Sequence, residues 1–360
     1  TARSSASKRA VAGMALVDAL GFAAAHVPTF PSSAPAIIAQ LSSPAIASDV
    51  KLALSGMYPD THAVRLVHAT GTAQQLIEDL SLCEIDRSQH IGLLTALYVP
   101  PLGPATSFEA FQEVIARLRA PDGCPWDREQ THQSMRASLL EETYEVLAAL
   151  DADDAEKMCE EFGDLLLHIV MHAQIASEYG EYTMADVLQG IHTKIVRRHP
   201  HVFGELEQQD VQGVLKTWER MKAEERAANG NATASILDGV ALALPALVQA
   251  EQYQARAGRV GFEWPNIQQV LEKLEEELEE VKAAQDSEAT FYEMGDVLFA
   301  AVNLARWYKV DAESALREAN IRFRRRFGYI EKSARQQGKA TSDLSIDEML
   351  ELWRQAKRIA

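Results

Sequence analysis

The feature that most constrains what this chain can fold into is an internal repeat in its last two thirds. Two sets of segments there carry apolar residues at helical three-and-four spacing, and acidic, basic and tryptophan residues recur between the sets at offsets of 128 to 138 residues. The recurring pairs are Glu142 and Glu277, Glu145 and Glu280, Glu161 and Glu293, Asp164 and Asp296, Arg197 and Arg325, Arg198 and Arg326, Trp218 and Trp353, and Trp126 and Trp264. Separated anchors at nearly one offset predict a duplicated all-α module of about 120–130 residues.

The region before the repeat has a different character. It is rich in Ala, Ser and Pro, contains short β-type runs such as residues 63–68, and ends in the proline-rich stretch 100–104. Residues 229–235 (Asn-Gly-Asn-Ala-Thr-Ala-Ser) are typical of a flexible linker. We therefore expect a mainly all-α chain in three parts: a small α/β segment at residues 1–105, a first helical module at 106–228 and a second at 237–360.

The spacing of apolar residues also bounds the helices. Thr106 and Glu109 have the spacing of a capping box, which predicts the start of the first helix. The expected helices cover residues 108–119, 135–150, 155–178, 184–197 and 211–227 in the first module, and 244–257, 267–284, 287–309, 312–327 and 346–358 in the second. Each module is therefore predicted to be a helical bundle.

Composition excludes several classes of partner. The chain has 35 Lys and Arg against 52 Asp and Glu, a formal net charge of −17. A chain this acidic lacks the basic footprint that nucleic acids and anionic membranes require, so we expect neither as a partner. Its apolar runs are too short to span a bilayer. The three cysteines are far apart and form no CxxC pair, which favours a reducing, cytoplasmic setting.

Within each module, the acids occur as ExxE on one helix and ExxD on a later helix. Residues at i and i+3 face the same side of a helix, so two packed helices bring four carboxylates together. Such groups repel unless they are protonated or share cations, and all-oxygen ligands favour Mg²⁺, with Mn²⁺ as a second choice. A solvated acidic face with surface ion pairs is the alternative, but the recurrence of both motifs favours metal. The candidate ligands are Glu142, Glu145, Glu161 and Asp164, and Glu277, Glu280, Glu293 and Asp296.

Two arginine pairs suggest what the metal would act on. Magnesium held by carboxylates usually works on a phosphorylated substrate. Arg197 and Arg198, and Arg325 and Arg326, end the next helix of each module, and guanidinium groups match phosphate oxygens in pairs. The alternative is that they balance the acidic helices or complement the helix dipoles.

Four strings in the modules resemble the MazG family of nucleoside triphosphate pyrophosphohydrolases. They are residues 123–127 (Gly-Cys-Pro-Trp-Asp), 140–146 (Leu-Glu-Glu-Thr-Tyr-Glu-Val), 197–203 (Arg-Arg-His-Pro-His-Val-Phe) and 261–264 (Gly-Phe-Glu-Trp). The resemblance covers about residues 106–360, the two-module form of the family. It implies an all-α, usually dimeric fold in which the ExxE and ExxD helices bind Mg²⁺. The implied reaction converts a nucleoside or deoxynucleoside triphosphate into the monophosphate and pyrophosphate.

Carried over residue by residue, the resemblance assigns the metal ligands to the four acids of the second module, with the first module as a second candidate site. The nucleotide contacts fall on Lys273, Glu276, Arg322, Arg325, Arg326 and Trp353, with Arg197 and Arg198 as their counterparts in the first module. Glu276 is also the candidate general base. Trp353 would stack on a base, or else belong to the core. Some relatives carry a Lys where this chain has Ala289, which puts one phosphate or base contact in doubt.

Residues 46–52, 58–60 and 97–101 resemble the C-terminal half of tetrapyrrole methylases. The glycine-rich loop that binds S-adenosylmethionine has no counterpart in the sequence. We therefore expect no methyl transfer, and interpret this segment as a remnant or a truncated piece.

The sequence thus predicts Mg²⁺-dependent hydrolysis of nucleoside triphosphates by a homodimer. A ferritin-like di-iron protein would require ExxH motifs, which both modules lack. A non-catalytic, nucleotide-sensing dimeric scaffold would keep the helices but lose metal ligands, whereas all eight acids are present. An active methylase fusion is the third rival. Base and sugar preference stay open, as does whether the modules pair within one chain or across a dimer.

Overall fold

The computed structural model describes residues 13–205, 210–228 and 235–359. Apart from Ser235, the predicted linker at residues 229–235 lies outside the described residues. The chain forms two compact units, the first ending at Thr193 and the second beginning at Lys194. The domain boundaries inferred from the sequence stay a prediction.

The start of the first unit is a small α/β layer built on a five-stranded sheet. Its elements are β1 (Ala15–Asp18), α1 (Ala19–Ala23), β2 (Ala36–Ala39), α2 (Pro44–Ser55), β3 (Ala63–His68), β4 (Leu76–Ser81), a 3-10 helix (Leu82–Arg87) and β5 (Ala96–Val99). The strand order is β1-β2-β5-β3-β4, with β1 and β2 parallel and the other neighbours antiparallel. Side chains alternate along a strand, so Ile38, Leu66 and Leu97 all point into one fully buried core. The predicted α/β segment is confirmed.

The rest of the described chain is helical, as predicted. The helices are α3 (Phe108–Arg119), α4 (Pro125–Glu129), α5 (Arg136–Asp151), α6 (Ala155–Glu178), α7 (Met184–Arg198), α8 (Pro200–Phe203), α9 (Val211–Ala228), α10 (Ala246–Arg259), α11 (Ile267–Ala283), α12 (Ser287–Trp307), α13 (Ala312–Gln336) and α14 (Ile346–Ile359), with a 3-10 turn at Thr341–Asp343. None of the helices in the described ranges has the length and hydropathy that crossing a bilayer requires.

Two helical hairpins carry the acidic motifs. Residues 152–154 join α5 to α6, residues 284–286 join α11 to α12, and in both hairpins the two helices pack together. The ExxD helix begins with an equivalent aspartate each time. Asp154 accepts a hydrogen bond from the Lys157 backbone N–H at 3.0 Å, and Asp286 accepts one from that of Ala289 at 2.8 Å. The duplication inferred from the sequence is therefore a duplication of local structure.

Separate apolar clusters support the helices. In the first unit, Ile115 of α3 packs with Val170 and Ile175 of α6. In the second unit, Ile330 and Ala334 of α13 are buried with neighbours from the segment that leads into α14.

Two details of the predicted helices are wrong. The N-cap of α3 is Ser107, whose side chain accepts from the Ala110 backbone N–H at 3.2 Å, whereas the Thr106 hydroxyl donates to the carbonyl of Gly103. Helix α13 continues from its expected end at residue 327 to Gln336.

Candidate functional site

In the first module, three acids meet between α5 and α6. Glu142 and Glu145 on α5 and Glu161 on α6 each offer a carboxylate oxygen, and these oxygens lie within 4.8 Å of one another. Glu161 is buried. Burial is the main cause that raises the pKa of Glu142, and the negative charges of Asp164, Glu145 and Glu161 raise it further. The fourth predicted ligand, Asp164, is therefore electrostatically part of this first cluster.

The second module has the equivalent cluster between α11 and α12. Carboxylate oxygens of Glu277, Glu293 and Asp296 lie within 4.8 Å of one another, and Glu277 is buried. Burial raises the pKa of Glu280, and a hydrogen bond with Glu277 and the charges of Glu277 and Glu293 raise it further. All four predicted ligands of the second cluster therefore interact.

Both clusters fit a hard divalent cation. Their donors are all carboxylate oxygens, the type of ligand that Mg²⁺ and Mn²⁺ prefer. Burial is the main cause of the raised pKa values of Glu142 and Glu280, and repulsion from neighbouring carboxylates raises them further. A bound cation would remove that repulsion.

A lysine reaches each cluster, but from different helices. Lys157 Nζ on α6 lies 3.0 Å from Glu161, whereas Lys273 Nζ on α11 lies 2.8 Å from Glu277 and 3.0 Å from Glu276. These two carboxylates raise the pKa of Lys273. Ala289 occupies the position on α12 that corresponds to Lys157, so Lys273 brings a positive charge to the second cluster in its place.

The arginines and tryptophans that recur in the sequence also recur as pairs in space. The Arg198 guanidinium lies 5.5 Å from the ring centre of Trp218, and that of Arg326 lies 5.7 Å from the ring centre of Trp353. Trp353 is half-buried, with its ring centre 5.3 Å from that of Phe323, and packs on the core of α13 and α14.

Both arginines of the first module share one carboxylate partner. Arg197 and Arg198 both form ion pairs with Glu225 of α9, with Arg198 Nη2 at 2.5 Å from Glu225 Oε2. The hydrogen bond from Arg198 is the main reason that the pKa of Glu225 falls to about 2. In the second module, the sequence has Ala360 at the position equivalent to Glu225 at an offset of 135, and an alanine side chain carries no carboxylate.

The remaining predicted contacts are the arginines of α13. Arg325 is exposed, and Arg322 lies 4.0 Å from Glu318 of its own helix. Within the described ranges, no ion pair joins Arg322, Arg325 or Arg326 to the carboxylates of α11 and α12. Their assignment to phosphate binding stays a prediction.

A cavity of about 490 Å³ adjoins the second cluster. Lys273, Glu277 and Asp296 line one part of it, so the cavity and the cluster share residues. Apolar and aromatic side chains form most of its wall, together with a few polar ones. Its other lining residues include Tyr253, Gln254, Phe262, Glu263, Trp264, Phe299, Asn303 and Arg306.

The sequence interpretation did not single out Gln254, Asn303 or Arg306. Glutamine and asparagine on amphipathic helices are usually solvent-facing, so their residue types gave no signal. The sequence feature that could have located this cavity is the string at residues 261–264, because its Trp264 lines the cavity.

Comparison with known proteins agrees with the resemblance. The model of the MazG nucleotide pyrophosphohydrolase domain matches residues 130–203. The nucleoside triphosphate pyrophosphohydrolase/pyrophosphatase MazG of Thermotoga maritima is 43% identical over 251 residues, which cover 69% of this chain and 95% of that protein. The nucleoside triphosphate pyrophosphohydrolase of Escherichia coli K12 is 42% identical over 251 residues, covering 68% of this chain and 95% of that protein.

A third relative extends the similarity into the N-terminal segment. The uncharacterized protein YabN of Bacillus subtilis is 42% identical over 330 residues, which cover 89% of this chain and 67% of that protein. A match of this length includes more than residues 106–360. The resemblance of the N-terminal segment to tetrapyrrole methylases stays a prediction.

Proposed function

Because the chain belongs to the MazG family, we propose that it hydrolyses nucleoside and deoxynucleoside triphosphates to the monophosphate and pyrophosphate in a Mg²⁺-dependent reaction. The observation that carries this proposal is the continuity of the second cluster with the adjoining cavity. Lys273, Glu277 and Asp296 belong to both. One ligand can therefore place a triphosphate at the carboxylates and its nucleoside in the cavity.

Each part of this site has a chemical role in the proposed reaction. Glu277, Glu280, Glu293 and Asp296 would hold Mg²⁺, which supplies charge neutralisation for the triphosphate and activation of water. Lys273 holds a positive charge at the boundary between cluster and cavity, where it would meet a phosphate oxygen.

Other residues would assist from outside the cluster. Glu276 would act as the general base. It is more than half exposed, and its ion pair with Lys273 at 3.0 Å, which also pairs with Glu277, supports this role. Arg322, Arg325 and Arg326 would stabilise charge on the phosphates. Trp353 packs on the core of α13 and α14 and does not line the cavity, which favours the alternative that it belongs to the core.

The first module favours a different role. Its carboxylates are intact, but Arg197 and Arg198 are both engaged in ion pairs with Glu225. We therefore assign catalysis to the second module. With its arginine pair occupied by Glu225, the first module would serve as a non-catalytic scaffold.

We further propose that the chain acts as a homodimer. Both ExxD helices carry exposed apolar side chains beside their acids: Phe162, Leu166 and Ile169 on α6, and Met294 and Leu298 on α12. A second copy that covers these stripes would remove their apolar surface from water. The three cysteines of the chain are free thiols, which supports a reducing, cytoplasmic setting.

Pyrophosphate release tests the activity. The purified chain should release pyrophosphate from a panel of nucleoside and deoxynucleoside triphosphates with Mg²⁺, and excess EDTA should abolish release. Glu280→Gln should remove the activity, whereas Glu145→Gln, the matched change in the first cluster, should leave most of it. No Mg²⁺-dependent monophosphate product from any nucleotide would contradict the proposal, and the reverse pattern of the two variants would move catalysis to the first module.

A further inference from the structure

Glu263 and Arg306 form an ion pair in the lining of the cavity. Glu263 lies in the segment that joins α10 to α11, and Arg306 lies near the end of α12. Arg306 Nη2 is 2.6 Å from both carboxylate oxygens of Glu263, and it also donates to Asn303 Oδ1 at 3.0 Å. Both partners are mostly buried, and partial removal from water strengthens a charged hydrogen bond. The pair therefore fixes the connecting segment to α12.

The Glu263 carboxylate also lies against Gly258, in the last turn of α10. A Cβ added at Gly258 would be 2.7 Å from Glu263 Oε2, well inside the separation at which two atoms attract. Only glycine leaves this space open for the carboxylate. The carboxylate is thus held between Gly258 on one helix and Arg306 on another.

Trp264 connects this ion pair to the cavity wall. Its backbone N–H donates to Glu263 Oε1 at 3.1 Å, and Trp264 itself lines the cavity. The same segment is attached to α10 by the backbone N–H of Phe262, which donates to the carbonyl of Ala257 at 3.1 Å. All of residues 261–264 line the cavity. One carboxylate therefore links two helices to the segment that forms part of the wall.

We propose that Glu263 and Arg306 are positioning residues for nucleotide binding, and that Gly258 supplies the space in which they meet. They hold residues 261–264 in place, so that the nucleoside meets a preformed surface and less freedom is lost when it binds. The inference rests on the proposed function, because the nucleoside enters the cavity only when its triphosphate lies at the second cluster. It adds which interaction shapes the cavity for the substrate.

This role predicts an effect on KM rather than on kcat. The bond that breaks lies between phosphates at the second cluster, whereas residues 261–264 would contact the nucleoside. Contacts with the nucleoside are the same in the bound substrate and in the transition state. Their loss removes uniform binding, which raises KM and leaves kcat nearly unchanged.

Three variants break this arrangement in different ways. Glu263→Gln removes the negative charge at nearly unchanged volume, Arg306→Met removes the guanidinium group, and Gly258→Ala displaces the carboxylate while both charged groups stay in the chain. The atom that the new Cβ meets is the end of a flexible side chain, so Gly258→Ala should fold even where Arg306→Met does not. The controls are Gly190→Ala, where a Cβ meets nothing within 4 Å, and Arg354→Met, which removes an exposed ion pair on α14.

The measurement is kcat and KM for the nucleoside triphosphate that the wild type hydrolyses fastest, with inhibition by inorganic tripolyphosphate, which lacks a nucleoside, as a reference. We expect each of the three variants to raise KM roughly three- to tenfold with little change in kcat. The combination of Glu263→Gln with Arg306→Met should raise KM no more than the stronger single change, since the two residues act as a pair. Inhibition by tripolyphosphate should be unchanged in all of them, and both controls should match the wild type.

The possible failures are distinguishable. If Glu263→Gln and Gly258→Ala fold and have the KM of an active wild type, the positioning role is overturned and the proposed function stands. A lower kcat at unchanged KM would also overturn it, because the pair would then act on the chemical step. Weaker inhibition by tripolyphosphate would overturn it as well, since that result shows a general structural role that extends to the second cluster. A wild-type chain that releases no pyrophosphate from any nucleotide would overturn both proposals.

Discussion

One carboxylate distinguishes the two copies of the repeated module at the scale of residues. Glu225 pairs with Arg197 and Arg198, and the second copy has Ala360 at the equivalent position. The arginine–tryptophan stacks are otherwise alike in the two copies. The difference in phosphate binding that we propose between the modules therefore depends on a single charge.

Glu225→Gln should give the first module affinity for polyphosphate. In a chain that also carries Glu280→Gln, we expect binding of tripolyphosphate with Mg²⁺ to strengthen roughly tenfold, because the guanidinium groups lose their charged partner. Isothermal titration calorimetry measures the change. Glu224→Gln, which removes the adjacent, mostly exposed carboxylate, should have no effect. Equal affinities in the two variants would show that Glu225 does not control the arginine pair.

A second ion pair makes stability depend on pH. Arg119 donates through Nε and Nη2 to both oxygens of Glu178, at 2.8 and 2.7 Å, and this pairing lowers the pKa of Glu178 from its ordinary value of 4.5. A carboxylate with a lowered pKa in the folded state stabilises the fold fully above its unfolded pKa. That contribution is lost as the pH falls through the lower, folded value.

Glu178→Gln should therefore destabilise the first unit by about 1–3 kcal/mol at pH 7, where the charged hydrogen bonds are intact. The difference in unfolding free energy between Glu178→Gln and the wild type should become smaller as the pH falls below about 4.5. The wild-type carboxylate then becomes protonated and loses the charge that the variant already lacks. Urea unfolding at several pH values measures both effects. Glu129→Gln, at an exposed position on α4, is the control. A difference in unfolding free energy that stays constant down to the lowest pH at which the chain folds would contradict a stabilising charge on Glu178.

Residue types alone identified the acids but not the cavity. ExxE and ExxD recur at a fixed offset, so their chemistry was visible in the sequence. The hydrogen bond from Gln254 to the carbonyl of Phe299 exists only because α10 packs beside α12, and a sequence cannot show which carbonyl accepts from an amide. The ion pairs of Glu225 depend on packing in the same way.

The same two-helix hairpin, used twice, organises the molecule at the scale of elements. Each copy has a three-residue connection, an aspartate cap and a cluster of acids between its helices. The period of the apolar residues predicted these helices, because helix-on-helix packing requires one apolar face. It did not predict the end of α13, where Gly328 is typical of a helix terminus but lies inside the helix. Buried Ile330 and Ala334 continue the packing beyond it.

Asp286→Ala should weaken the second cluster through its supporting helix. Loss of the cap on α12 should cost about 1 kcal/mol in urea unfolding. Because Glu293 and Asp296 lie in the following turns, we also expect a higher Mg²⁺ concentration for half-maximal activity. Asp286→Asn retains a side-chain acceptor, so its stability and its Mg²⁺ dependence should both be close to those of the wild type. Stability and Mg²⁺ dependence that do not change in Asp286→Ala would show that packing alone positions the helix.

At the scale of the whole molecule, the chain has a net charge of −17, and the two acidic clusters are part of that charge. Beside each cluster, the ExxD helix carries a stripe of apolar side chains that are exposed to water. Acidic repulsion opposes association, whereas burying the stripes and binding cations in the clusters favour it. Assembly and metal binding should therefore be linked, with Mg²⁺ favouring the dimer.

Sedimentation velocity tests this linkage. The wild type should be a dimer at micromolar concentration, with a tighter dimer in Mg²⁺ than in EDTA. Leu298→Glu places a charge in the exposed stripe of α12, so it should shift the chain to monomer and lower its activity together. Leu93→Glu, at an 81% exposed position in the N-terminal segment, should leave both unchanged. A wild type that stays monomeric and active would exclude a second copy as the partner of the stripes.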